Sequence, residues 1–180
     1  MMAGNRRFVA QHMTSFDEDL AILRQGTAEK QEPFASVLAC ADSRVPVELI
    51  FDQSIGQLFV ARVAGNIGGS DIIASLEYGV AVLGTKAILV LGHAGCGAVK
   101  AAIAGKPAPG QISALYRSLR PAIDQAGPDL TAVIRVNAQL QARLLRDASP
   151  VIGDFARRGQ LLVRAGYYDL GSGRVALLEP

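Results

Sequence analysis

The 180-residue chain has no tryptophan, and it holds only two cysteines and two histidines. Two cysteines 56 positions apart cannot supply the disulfide framework that staples small secreted domains. A chain of 180 residues with 50% hydrophobic content can instead bury a substantial core as one domain. Long apolar runs are missing too: nothing approaches the roughly 18 consecutive residues of a membrane span, so direct membrane insertion of this chain is not expected. Asn5-Arg6-Arg7-Phe8 interrupts the N-terminus before a signal-peptide core can form, which makes a cytoplasmic location the expectation. Charge of one sign is scarce, with 18 Lys and Arg against 16 Asp and Glu. The densest basic groups, Arg6-Arg7 and Arg157-Arg158, make no stripe, which argues against a nucleic-acid partner. The glycine-bearing loop Ala64-Gly65-Asn66-Ile67-Gly68-Gly69 lacks the Gly-x-Gly-x-x-Gly and P-loop patterns and reads as a turn, with Asn66 serving its backbone. There are no repeats and no low-complexity tract.

The scarce residues are concentrated. Both cysteines and one histidine fall in two short segments, Cys40-Ala41-Asp42-Ser43-Arg44 and Gly92-His93-Ala94-Gly95-Cys96-Gly97. Two thiolates, one imidazole and one carboxylate are side chains that a tetrahedral zinc ion accepts. Each segment follows a short apolar run, Ser36–Ala39 and Ala87–Leu91, that reads as a buried parallel strand. The crevice outside the carboxyl ends of such strands is where ligands gather in an open α/β sheet. The stretch Ala98–Ile103 reads as a helix, which places Cys96 near a helix N-terminus whose dipole favours a thiolate. Zinc with two thiolates and a neutral histidine has no net charge; adding Asp42 closes the shell, and adding water leaves it open for chemistry. Arg44 bears on that choice, because its guanidinium can hold Asp42 in a bidentate pair away from the metal.

The rest of the chain alternates. A helix is expected from Ser15 to about Gln25, followed by the polar connection Glu29–Pro33 and the first core strand, with Pro46 starting a helix. Leu58–Val63 reads as a strand, and Ser70 or Asp71 opens a helix whose Ile72, Ile73, Leu76, Val80 and Leu83 share a face. Two further helices are expected over Ile112–Ala126 and Leu130–Ala148, the second ended by Pro150. Leu161–Ala165 and Val175–Leu178 are late strands, joined through Gly171-Ser172-Gly173 as a hairpin. The fold class is therefore α/β: a single domain with a mostly parallel central sheet flanked by helices, and an N-terminal helical arm. We divide the chain into an arm, residues 1–34, and a zinc-binding catalytic domain, residues 35–180.

Cys-x-Asp-x-Arg followed by His-x-x-Cys, matched by Cys40, Asp42, Arg44, His93 and Cys96, resembles the signature pair of the β-class carbonic anhydrases. The resemblance runs from about Asn5 through Val99, and more weakly into the C-terminal strands. It implies one zinc ion per chain held by Cys40, His93 and Cys96. Asp42 is then a fourth ligand in the closed state only and pairs with Arg44 in the open one. The implied reaction is the reversible hydration of carbon dioxide to bicarbonate and a proton by attack of zinc-bound hydroxide, with Asp42 and Arg44 as first proton relay. Gln31, Phe59 and Tyr78 occupy the places of substrate-pocket residues in the plant-like subgroup; Gln31's counterpart comes from the neighbouring subunit, which implies a homodimer or a dimer-based higher oligomer. The other subgroup's inhibitory bicarbonate site includes a tryptophan, which this chain lacks. In the family the N-terminal arm begins further upstream, which leaves open a domain cut from a longer, membrane-anchored protein.

Duller readings accompany each of these residues. A single buried cysteine is ordinarily a small core hydrophobe, and only the joint spacing of five residues argues for metal. Phe59 and Tyr78 on a strand and an amphipathic helix read as core, Gln31 on a polar loop as solvent-facing, and His12, without a ligand partner at helical spacing, as surface. Three functional alternatives remain: hydrolysis of carbonyl sulfide or carbon disulfide at the same zinc site, a closed structural zinc module, and a redox pair of Cys40 and Cys96. Another divalent metal is also compatible with thiolate and imidazole donors.

Overall fold

In the computed structural model, residues 1–14 and 28–179 are described. The helix expected from Ser15 to about Gln25 lies outside the described residues. The elements run α1 (Met2–Val9), β1 (Ala35–Ala39), α2 (Val47–Ile50), β2 (Leu58–Arg62), α3 (Ser70–Ala81), β3 (Ala87–His93), α4 (Gly97–Ala104), α5 (Ala114–Ala126), α6 (Leu130–Ala148), α7 (Pro150–Arg157), β4 (Leu162–Tyr168) and β5 (Val175–Leu177).

The strands form one sheet in the order β2-β1-β3-β4-β5, parallel except for the antiparallel β4–β5 hairpin. Central β1 is buried along its whole length, which explains its unbroken apolar run. Side chains alternate across the sheet: Leu38, Ile88 and Val90 pack with Leu76, Ala142 and Leu145 on one face, while Val37, Leu89 and Leu91 pack with Val47, Ile50 and Phe51 on the other. A third cluster, including Ile67, Val99, Leu119, Val133 and Ile134, surrounds Cys40 and Cys96 at the carboxyl ends of the strands.

α6 ends at Ala148, before Pro150, as expected, but Pro150 also opens a further helix, α7, beyond those expected. The proline occupies the first turn of α7, where its missing N–H costs nothing, and Ser149 Oγ caps that helix by accepting from Ile152 N at 3.0 Å. The N-cap of α3 is Gly69 and not Ser70 or Asp71, with no side-chain cap bond.

The chain start is clamped to the domain. Asn5 is buried; its Nδ2 donates to Ile50 O at 3.1 Å and Gly173 O at 2.8 Å, and its Oδ1 accepts from Val175 N at 2.9 Å. Gly4 permits this approach, since a Cβ there would run into the Phe51 carbonyl. Asp52, buried at φ +47°, accepts from Arg7 Nε, from Thr14 N at 2.8 Å and from Thr14 Oγ1 at 3.0 Å. Burial pushes the Asp52 carboxyl up, but the Arg7 and Thr14 bonds outweigh it and leave its pKa below the ordinary value. A depressed folded-state pKa gives stability that is fully present above the unfolded value, about 3.9, and is lost as pH falls through the folded value. Asp52→Ala is therefore expected to destabilise the protein by about 1–3 kcal/mol at pH 7, with the deficit shrinking in acid. Urea unfolding at the two pH values checks this, and equal midpoints at pH 7 would refute the clamp.

Candidate metal centre

The parallel register brings the two sequence segments together. Cys40 follows the last residue of β1, His93 ends the neighbouring strand β3, and Cys96 is the N-cap of α4. All three are buried, and their donor atoms lie within 4.8 Å of one another. The sulfurs are 4.0 Å apart, close to the roughly 3.8 Å edge of a zinc tetrahedron with 2.3 Å Zn–S bonds. Both cysteines are free.

His93 supplies the most telling observation. Its Nδ1 lies 3.0 Å from Ala94 O, and because a carbonyl only accepts, Nδ1 carries the proton. Nε2 is left with a lone pair, fully buried and without a hydrogen-bond partner among the described residues. An orphaned buried acceptor is costly, and a cation between it and the two sulfurs satisfies it. The residues present therefore fit zinc. The thiols respond to one another: the Cys96 hydrogen bond, helped by Gly65 N–H at 3.3 Å, outweighs burial and draws Cys40 down, while the same pairing and burial push Cys96 up.

Asp42 and Arg44 complete the rim. Asp42 Oδ1 accepts from Arg44 N and Nε, both at 2.9 Å, and Oδ2 accepts from Arg44 Nη2 at 2.7 Å. Oδ2 is also 3.9 Å from His93 Nε2, so the carboxylate borders the donor group while being held by the guanidinium. The Arg44 hydrogen bonds keep the Asp42 carboxyl far below the usual carboxylate range, against the opposing effect of burial. Arg62, not singled out from sequence, fixes this loop: Nε donates to Cys40 O at 2.9 Å and Nη2 to Asp42 O at 2.6 Å. Only its position at the end of an apolar strand hinted at such a role.

The carbonic anhydrase family model matches residues 35–175, a span that includes every residue of this centre. The chain belongs to the β-carbonic anhydrase family. It is 35% identical over 187 residues to carbonic anhydrase 2 of Mycobacterium tuberculosis, covering 98% of this chain and 88% of that protein. Among solved structures it is similar to the Coccomyxa β-carbonic anhydrase in complex with acetazolamide, with a TM-score of 0.78 and 28% identity, covering 98% of this chain and 83% of that one. Its fold is also that of a chain from two tetrameric β-carbonic anhydrases of the filamentous ascomycete Sordaria macrospora, with a TM-score of 0.79 at 24% identity over 89% of this chain and 90% of that one. β-Carbonic anhydrases use zinc, and the Cys40, His93 and Cys96 group is able to bind it.

The remaining sequence-based residues lie apart from this β-carbonic anhydrase centre. Phe59 and Tyr78 meet, with ring centroids 6.2 Å apart, and Tyr78 is 48% exposed. Phe59 is in register with Ser36, four residues before Cys40, or roughly 13 Å along the strand at 3.3 Å per residue. Gln31 is exposed and precedes β1, at the same end of the strand as Ser36. His12 is exposed, as expected. Asn66 does not serve the glycine loop in the way its sequence suggested. It is buried at φ +44° with Nδ2 unpartnered among the described residues, and the side-chain amide donated to the loop comes from Asn137 on α6. No described helix is long and apolar enough to cross a membrane.

Proposed function

We propose that this chain catalyses the reversible hydration of carbon dioxide, with Cys40, His93 and Cys96 holding zinc and Asp42 serving as the adjacent proton acceptor. The observation that carries the reading is the unpartnered His93 Nε2 within reach of both sulfurs, bordered by a carboxylate that Arg44 restrains. Zinc, when bound, supplies a Lewis acid that brings the pKa of water down to roughly 7. Asp42 Oδ2 would accept the hydrogen bond that orients the reacting water, and the Arg44 pair holds the carboxylate ionised and turned to the site for that role. The Arg44 bonds to both Asp42 oxygens would keep that carboxylate off the metal, which argues against the closed structural module. Relatives named as carbonic anhydrases favour carbon dioxide over carbonyl sulfide or carbon disulfide.

The pocket is completed by a second copy. Gln31, Phe59 and Tyr78 sit toward the opposite end of the strands from their own chain's cysteines, which supports their serving the partner subunit's site in a homodimer or larger oligomer. There the partner subunit's Gln31 donates to the developing bicarbonate oxygen, and the arm, residues 1–34, carries that glutamine from the catalytic domain, residues 35–180. Two reduced ligand thiols suit the cytoplasm.

Stopped-flow hydration by zinc-loaded protein, with metal content measured on the same sample, tests the reaction; no turnover despite full zinc would reject it. Shared sites are tested by mixing Gln31→Ala and Cys96→Ala chains. Each is expected to be impaired alone, and an equimolar mixture after subunit exchange is expected to recover about a quarter of wild-type activity, since about half of the dimers are then heterodimers and one of the two sites in each is intact. Absence of recovery despite exchange of subunits would place Gln31 in its own chain's site or in none.

A further inference from the structure

We propose that Asn137 and Gln141, two buried amides on α6, are positioning residues for the metal centre, acting through Gly65 on the sulfur of Cys40. The inference rests on the reading of Cys40 as a zinc ligand. The buried face of α6 is otherwise apolar, including Val133, Ile134, Ala138, Ala142 and Leu145, so two primary amides there require partners. They find them in the loop after β2. Asn137 Nδ2 donates to Gly65 O at 3.0 Å, and Asn137 Oδ1 accepts from Gln141 Nε2 at 3.2 Å. Gln141 Oε1 accepts from Gly68 N at 2.8 Å, and its Nε2 lies 3.5 Å from Ser118 O on α5. Gly65 N–H, the other polar group of the same residue, donates to Cys40 Sγ at 3.3 Å.

A continuous series of hydrogen bonds therefore runs from the helix to the sulfur, and Gly65 is gripped from both sides. The glycine has φ +79°, and a Cβ there would lie 3.4 Å from Leu119 and 3.5 Å from Ala98. With no side chain to anchor it, this residue is oriented by what bonds its backbone. An N–H aimed at a thiolate withdraws charge from the sulfur and fixes its direction, and outer partners of this kind typically alter metal affinity by about 10–100-fold. Among the described residues neither Asn137 nor Gln141 bonds a metal donor directly; they act by setting the N–H that does.

The test uses the full chain as wild type, Asn137→Ala, Asn137→Asp and Gln141→Leu, with Leu145→Ala as control. Asn137→Asp keeps the shape and the acceptor for Gln141 but removes the donor to Gly65. Leu145 lies on the same helix within the sheet-side core. Three quantities are read: the zinc dissociation constant by chelator competition, the thiolate-to-cobalt charge-transfer band of cobalt-substituted protein, and hydrogen exchange of the Gly65 amide without metal. Both Asn137 variants and Gln141→Leu are expected to weaken zinc binding about 10–100-fold, shift the band and speed Gly65 exchange. Leu145→Ala should lower thermal stability and move none of the three. Unchanged zinc affinity, band and exchange in the Asn137 variants, or equal changes in Leu145→Ala, would overturn the inference. A wild-type chain that takes up neither metal would instead overturn the reading of the site itself.

Discussion

Replacing Cys96 with alanine is expected to strip the centre of zinc and reduce carbon dioxide hydration to the buffer background while leaving the fold in place. Three protein donors converge here, and their removal is not symmetrical with the loss of an outer partner. Deleting a thiolate takes away both a bond and a negative charge, so affinity should fall by more than the roughly 100-fold upper range for an outer-partner change. No described cysteine or histidine stands ready to replace it, since the metal-capable group among the described residues is Cys40, His93 and Cys96 alone. The backbone should tolerate the change. Cys96 caps α4 without a side-chain cap bond, and its small side chain sits beside Val99, Leu119 and Ile134, so truncation should cost no more than about 1–2 kcal/mol. Elemental analysis, stopped-flow hydration and a thermal melt on one preparation separate these effects. Full zinc occupancy in the variant would contradict the assignment of Cys96.

Asp42→Asn is expected to do the reverse, keeping the metal and slowing hydration by about 10²–10⁴-fold. The wild-type carboxylate accepts three bonds from Arg44, two at Oδ1 and one at Oδ2. An asparagine can still accept at one oxygen, but its amide nitrogen then faces Arg44 Nη2, donor against donor, and the guanidinium loses its counter-charge. The proton acceptor disappears and the rim loosens, while Cys40, His93 and Cys96 are untouched. The rate should be measured at low buffer concentration, where proton removal is not carried by solute. Near-wild-type turnover under those conditions would reject a proton role for Asp42. Because Arg44 keeps the Asp42 carboxyl well below its usual range, titration of Asp42 itself should leave no inflection in the wild-type rate between neutral and alkaline pH.

Local chemistry made much of this protein readable from its residues. Ser36–Ala39 and Ala87–Leu91 could be recognised as strands because strands buried on both faces must be continuously apolar. Cys40, Asp42, Arg44, His93 and Cys96 stood out because these residue types, at those spacings beside those strands, have few other uses. Pro150 illustrates a limit: it stops α6 as expected, and the Ser149 cap makes it also the first residue of α7, which the proline alone did not announce. Asn66 illustrates another. Its side chain was a reasonable partner for the glycine loop beside it, yet Asn137, 72 positions beyond Gly65, provides the bond.

Sequence alone determined the donor set, the α/β alternation and the helix that follows Cys96, since each depends on residue identity and on neighbours within a few positions. Tertiary structure alone decided that β1 lies beside β3, which brings Cys40 to His93 and Cys96. It likewise placed Arg62 and the α6 amides behind the metal donors, and set Phe59, with Tyr78 of α3 against it, beside Ser36, four residues before Cys40. Strand order and long-range hydrogen bonds arise from packing of the whole chain, and a polar residue on a helix carries no local mark of the loop it will meet.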